Sequence, residues 1–303
     1  MSDIAKAAIL HDRSVLEIGG ADRTKFLQGL VTNDMRRVAP GTALYTGLLT
    51  GQGKLICDLF IMPDGEKLLV DIASSHVEKF IERLVKFKLR AEVTFGETET
   101  PLAVAAVWGS DVAARLGLDP RTMLTEKNSL PWTHHAFIDP RLPALGARLL
   151  FPVDLTVDIE LARRGVTSAT VEEYNAHRLA LGVADTADIE GEICYPLEAN
   201  FELLHGVDFK KGCYVGQELT ARMKLKDKLR KRVLPVVSVA STSLPAVGTS
   251  VTANGAELGQ LIAVSGLRGL ALLRLDRLAD AQMDAIRAGE VPLNINWPSW
   301  IPR

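Results

Sequence analysis

The sequence predicts an α+β protein that ends in a small antiparallel β-domain. Strand-like and helix-like segments alternate from Val15 to Leu181. After Arg232 the texture changes to short β-branched runs separated by Gly, Ser, Asn and Pro. With 303 residues, 47% apolar and 24% charged, the chain has material for two or three domains and a core without disulfide or metal staples.

Val15–Ile18 is a short apolar run broken by Gly19-Gly20, and Asp22 is placed to cap a helix carrying Phe26, Leu27 and Leu30 on one face. Thr32-Asn33-Asp34 and a Pro40-Gly41 turn follow. Leu55–Met62 is expected as a buried strand, Pro63-Asp64-Gly65 as its turn and Lys67–Ile72 as the returning strand. Ser75 and Glu78 have the spacing of a capping box, ahead of helical positions Val77, Phe80, Ile81, Leu84, Val85 and Leu89. Glu92–Phe95 and Leu102–Trp108 are strand-like, with a short helix after Ser110. Thr170 and Glu173 make a second capping box, opening a helix to about Leu181 that Gly182 can end in a left-handed cap. Val233–Val239, Thr249–Thr252, Gln260–Val264 and Leu270–Leu275 then predict a barrel or sandwich of about 70 residues.

Net charge is −2, yet Lys210–Arg232 holds nine basic and two acidic residues, leaving −9 on the rest of the chain. Such a segment suits an anionic ligand or partner. Nucleic acid is disfavoured, because the remainder is acidic and no aromatic residues interleave with Lys224, Lys226 and Lys228, which are expected on a solvated face. Cys57, Cys194 and Cys213 form no CxxC and cannot all pair, so a reducing compartment is expected. The first residues show neither a signal-peptide pattern nor an Arg-rich presequence, and no uncharged apolar run reaches the roughly 18 residues of a membrane span. The expectation is a cytoplasmic protein without a membrane partner.

Several familiar chemistries fail. Gly47 to Lys54 resembles a phosphate loop but has one residue too many between its glycines and ends in Leu55. GxGxxG, HExxH and GxSxG are absent. His134 and His135 are adjacent, so on a strand they would face opposite sides, and no metal site is expected. The informative stretch is Lys210-Lys211-Gly212-Cys213-Tyr214-Val215-Gly216-Gln217-Glu218. Its two glycines suggest a strained turn, two lysines beside Cys213 would favour the thiolate, and Leu219–Arg222 continues as a helix.

This stretch resembles the signature of YgfZ-type folate-binding proteins, relatives of the glycine-cleavage T-protein, an aminomethyltransferase. Four other segments resemble the same family in the same order: Phe26–Asp34, Leu48–Leu55, the Tyr174/Arg178/Gly182 pattern, and Pro196-Leu197-Glu198-Ala199-Asn200. The resemblance covers about residues 13–232. It implies a T-protein-like three-lobed ring with a central folate channel, closed by a C-terminal antiparallel β-barrel. The domains would be 1–230, with a second lobe at about 50–140, and 231–303. It further implies a tetrahydrofolate-binding accessory protein in iron–sulfur cluster assembly or repair, with aminomethyl transfer as the alternative. Tetrahydrofolate or a polyglutamylated derivative would contact Asn33, Asp58, Arg178, Glu198, Lys211, Tyr214, Gln217 and Arg222. Cys213 and Asp58 would be the chemically active residues, Cys213 touching a cluster transiently. Iron–sulfur assembly proteins or their client enzymes would be the partners.

Two departures from the T-protein matter. Its paired aspartates read Cys57-Asp58 here, leaving one carboxylate. Its Arg-Leu-Glu-Ala-Gly reads Arg178-Leu179-Ala180-Leu181-Gly182, and Ala180 cannot accept the pterin's donor edge as a carboxylate would. Glu198 is the candidate replacement.

Overall fold

A computed structural model describes residues 4–40, 42–119, 130, 132–225 and 229–302. The chain forms two compact units: one of residues up to Leu49, Cys57–Tyr174 and Leu204–Val215, the other of Thr50–Ile56, Asn175–Leu203 and everything from Gly216.

The first unit opens with β1 (Lys6–Ile9), β2 (Arg13–Gly19), α1 (Arg23–Gln28) and β3 (Leu44–Leu49). Strands β4 (Leu55–Asp64) and β5 (Lys67–Ala73), helix α2 (Val77–Lys88) and strands β6 (Thr94–Glu97) and β7 (Leu102–Trp108) follow. It continues with α3 (Val112–Leu116), β8 (His135–Ile138), β9 (Ala147–Pro152), α4 (Val157–Ala162), β10 (Thr167–Ser168) and the start of α5 (Val171–Ala180). The strands make two five-stranded sheets, ordered β3-β4-β5-β2-β6 and β10-β1-β7-β9-β8. The β4–β5 hairpin pairs Asp64 with Lys67, so its turn is Gly65-Glu66, and Gly65 takes the positive φ of 58° that a two-residue hairpin loop favours.

The second unit carries α6 (Gln217–Leu225), β11 (Lys231–Ser238), β12 (Ser250–Ala253), β13 (Ala256–Ser265), β14 (Arg268–Arg274), α7 (Leu275–Ala279), β15 (Ile286–Ala288) and β16 (Val291–Ile295). Its six strands close as β11-β14-β13-β12-β15-β16, with β16 antiparallel to β11 through Val236–Ile295. Closure removes both sheet edges and decides for a barrel over a sandwich. Its core includes Leu234, Val236, Val251, Leu261, Leu273 and Leu293.

The mixed helix and sheet content and the terminal barrel agree with expectation; several local expectations do not. Asp22 makes no side-chain cap, because its Oδ2 accepts from the Glu92 N–H at 2.9 Å. That contact holds Glu92 outside the sheet, and the strand expected at Glu92–Phe95 starts at Thr94. The Ser75–Glu78 capping box is replaced by a 3₁₀ turn, Ser74–His76, in which Ser75 Oγ meets His76 Nδ1 at 3.0 Å. Helix α2 buries Phe80 and Leu84 but exposes Val85, and Leu89 falls just past its end and is exposed, so the apolar face is narrower and shorter than the spacing suggested. The Thr170–Glu173 box does form: the Thr170 N–H donates to Glu173 Oε2 at 3.1 Å, and the Glu173 N–H donates to Thr170 Oγ1 at 3.3 Å. Gly182 follows with φ 81°. Residue 41 of the expected Pro40-Gly41 turn, and Lys226 and Lys228 of the lysine face, lie outside the described residues. Among the described residues no helix is long and apolar enough to cross a membrane.

Candidate functional site

In the first unit the Phe26–Asp34 block and the cysteine loop are laced together by hydrogen bonds. Thr32 Oγ1 donates to the Gly206 carbonyl at 2.6 Å, the Asp208 N–H to the Thr32 carbonyl at 3.1 Å, and the Val215 N–H to the Gly29 carbonyl at 3.0 Å. Gln28 Nε2 donates to the Lys211 carbonyl at 2.8 Å. Lys211 answers through Nζ, donating to the carbonyls of Gln28 at 2.6 Å and Val31 at 2.5 Å. Two motifs 180 residues apart therefore build one local structure.

That lacing sets what each predicted residue can do. Asn33 is buried and donates both amide hydrogens, to the carbonyls of Tyr45 at 2.8 Å and His205 at 2.6 Å, while its Oδ1 accepts from the Asp34 N–H. A side-chain amide has only two hydrogens, so none remains for a cofactor. Lys211 is buried too, and desolvation pushes its ammonium down to about 8 against the pull of Asp34 and Asp208. It lies 4.6 Å from the Tyr214 ring centroid and anchors the loop. Cys213 is exposed, between Gly212 at φ 93° and Gly216 at φ 81°, conformations that favour glycine.

Asp58 has a different setting. Its side chain is fully buried, 3.6 Å from Arg13 Nη1 and 3.9 Å from Arg141 Nη1. It belongs to a network of three aspartates and three arginines inside the first unit. Asp71 accepts from Arg13 Nε at 2.6 Å and Arg148 Nη1 at 2.7 Å. Asp139 accepts from Arg141 Nη2 at 2.7 Å and Arg148 Nε at 3.4 Å. Burial would raise the Asp139 carboxyl, but Arg141 and Arg148 outweigh it and hold the group below the usual carboxylate range. The guanidiniums of Arg148, Arg141 and Arg13 surround Phe60 at 4.1, 5.0 and 5.7 Å from its centroid. Sequence reasoning singled out Asp58 and missed the other five. The available signal was a charge set inside an apolar run: Asp71 within β5 and Arg148 within β9.

Arg178, Glu198, Gln217 and Arg222 lie in the second unit. Arg178 is buried: Nη1 donates to the Val183 carbonyl at 2.8 Å and to Asp188 Oδ2, and Nη2 donates to Asn175 Oδ1 at 3.1 Å. Burial pushes the Asp188 carboxyl up to about 6 despite Arg178. Gln217 is half-buried at the start of α6. Glu198 and Arg222 do come together. With Tyr195, Leu219, Met223 and Arg230 they line a cavity of about 310 Å³. Glu198 Oε2 accepts from the Tyr195 N–H at 2.9 Å, and burial raises its carboxyl although Lys54 and Lys231 oppose it. Arg222 is exposed and paired with Glu218 at 2.6 Å. A larger cavity of about 1090 Å³, lined by Met223, Leu275, Leu278 and Trp297 among others, contains none of the predicted site residues.

The histidine pair contradicts its expectation. Only His135 is in β8; His134 sits in a bend before it and escapes strand alternation. Both Nε2 atoms turn to Asp64, at 3.1 Å for His134 and 3.6 Å for His135.

Residues 3–139 match the GCVT N-terminal domain family, and residues 230–303 match the CAF17 C-terminal beta-barrel domain family. Glycine cleavage system aminomethyltransferase T from Bartonella henselae superposes with a TM-score of 0.76 over 98% of this chain and 86% of its own, at 14% identity. This is the aminomethyltransferase T fold with a closed antiparallel barrel at its C-terminus, as the resemblance implied. Among its relatives, the "Iron-sulfur cluster assembly factor IBA57 homolog, mitochondrial" of Mycosarcoma maydis is 36% identical over 256 residues, covering 80% of this chain and 59% of its own length. Its namesake from Neosartorya fischeri is 32% identical over 321 residues, covering 90% and 71%. That of Dictyostelium discoideum is 32% identical over 257 residues, covering 75% and 61%. The chain belongs to the IBA57 family of iron–sulfur cluster assembly factor homologues. The expected cytoplasmic location is corrected by these relatives, which are named as mitochondrial. Three thiols imply a reducing environment, and that does not separate the two compartments.

Proposed function

We propose that this chain is an iron–sulfur cluster assembly factor that binds tetrahydrofolate or a polyglutamylated derivative, in the manner of the YgfZ-type proteins it resembles. The observation that carries the reading is likeness to assembly factors at 32% identity over 90% of the chain. Its partners are iron–sulfur assembly proteins or client enzymes, met through the exposed Cys213.

The Glu198 cavity suits a pterin. A flat ring with an N–H edge needs a carboxylate acceptor, apolar faces and cations for an anionic tail, and Glu198, Leu219 with Met223, and Arg222 with Arg230 supply these. Bound tetrahydrofolate would supply one-carbon chemistry at its ring nitrogens. The aminomethyltransferase alternative loses support because Asp58 is buried beside Arg13 and Arg141, where it balances charge.

Calorimetric titration of the full chain with tetrahydrofolate tests the cofactor. Saturable one-to-one binding is expected, weakened by Glu198→Gln by about 1.5–3 kcal/mol, the range for a hydrogen bond to a charged group. A polyglutamylated ligand should bind more tightly, and high salt should erase that advantage. No binding at high micromolar ligand would refute the folate part and leave the assembly role standing.

A further inference from the structure

We propose that Asp64, His134 and His135 form a binding site for one divalent transition-metal ion, bridging the two sheets of the first unit. One ligand atom from each residue lies within 4.8 Å of the other two. Metal–ligand bonds of about 2.0–2.1 Å in a tetrahedral site place neighbouring ligand atoms roughly 3.3–3.4 Å apart. The two observed nitrogen–oxygen separations, 3.1 and 3.6 Å, bracket that distance.

The backbone holds the three residues in place before any ion arrives. Asp64 ends β4 at a two-residue hairpin loop that Gly65 makes possible. His135 begins β8 in register with Leu150, and the His134 N–H donates to the Leu150 carbonyl at 2.7 Å. The imidazoles meet edge to face, centroids 5.0 Å apart at 75°, so both can present Nε2 to one point without stacking.

A plain imidazolium–carboxylate pair is the competing account, and the geometry speaks against it. His134 Nε2 is buried and 3.1 Å from Asp64 Oδ2, yet among the described residues it makes no hydrogen bond. It faces the carboxylate as one ligand faces another across an ion. The side chains keep 28%, 11% and 22% of their exposure, so water can complete the coordination sphere. Two imidazoles and one carboxylate select first-row transition ions over Mg²⁺ and Ca²⁺, which prefer all-oxygen sites.

Zn²⁺ calorimetry on the full chain carrying Cys213→Ser, which removes the exposed thiol as a rival ligand, tests the site. One Zn²⁺ per chain is expected, with no response to Mg²⁺. Asp64→Asn and His134→Ala should each weaken binding by at least the roughly 10–100-fold seen when even an outer-shell partner is lost. Co²⁺ should give visible ligand-field absorption in the unaltered ligand set, and Zn²⁺ should raise the melting temperature as ligands of the folded state do. Absence of Zn²⁺ binding, or binding unchanged in both variants, would overturn the proposal and leave an ion pair.

Discussion

Replacing Asp71 by Ala is expected to cost about 3–5 kcal/mol of stability, the range for removing one partner of a buried ion pair. Asp71 is fully buried, with one carboxylate oxygen on Arg13 at 2.6 Å and the other on Arg148 at 2.7 Å. Without it, two guanidiniums remain in a site that excludes water, and the carboxylates left beside them, Asp58 and Asp139, lie at 3.6 and 3.4 Å. The urea midpoint of the full chain reads the loss. Adding Arg148→Met to Asp71→Ala should restore part of it, because the second change removes a charge that the first left unpaired. Unchanged midpoints in the single variant would show that the network contributes nothing to stability.

The same network sets an acid limit. Asp139 is held below the usual carboxylate range in the folded state, so its contribution is fully present above the unfolded pKa. It is lost as pH falls through the lower folded value, and Asp139→Asn should flatten that part of the stability profile. Asp58 needs the same care. Lost function in Asp58→Ala would follow from the upset charge balance beside Arg13 and Arg141 alone, so a catalytic role requires a variant whose stability is intact.

What the sequence made legible was local or carried by an unusual motif. The Thr170–Glu173 box forms because its two hydrogen bonds depend only on residues three apart. The Ser75–Glu78 box, with the same spacing, loses to a 3₁₀ turn, and Asp22 loses its cap to Glu92 seventy positions away. Propensity cannot register such distant competitors. The barrel was readable because closing a short antiparallel sheet needs regular β-branched segments and turns, and those appear as composition after Arg232. The ion network was not, since Arg148 finds Asp71 across 77 residues. The histidine pair was misjudged because strand alternation was applied across a strand boundary between His134 and His135. Among the residues carried over from the resemblance, Asn33 and Lys211 turn out to stitch the cysteine loop to the Phe26–Asp34 block. Glu198 and Arg222 share a cavity instead.

Cys213→Ala is expected to abolish support of iron–sulfur enzymes while leaving the protein stable; the changes Cys57→Ala and Cys194→Ala should do the reverse. Cys57 and Cys194 are fully buried, and desolvation raises both thiols, Cys194 to about 12. A thiol held protonated in a core is neither a nucleophile nor a metal ligand. Its loss costs packing, and abundance should fall while activity per molecule persists. Cys213 is exposed, and surface substitutions away from caps and buried networks usually stay within about 0.5 kcal/mol. One thiolate cannot hold a cluster that takes about four protein ligands, so on the proposed reading this residue would act together with ligands from a partner. The measurement is activity of a [4Fe-4S] enzyme in a strain lacking the endogenous factor, normalised to the abundance of each variant. Full restoration by Cys213→Ala would remove the thiol from the mechanism, and the loop between Gly212 and Gly216 would then have to act through its shape.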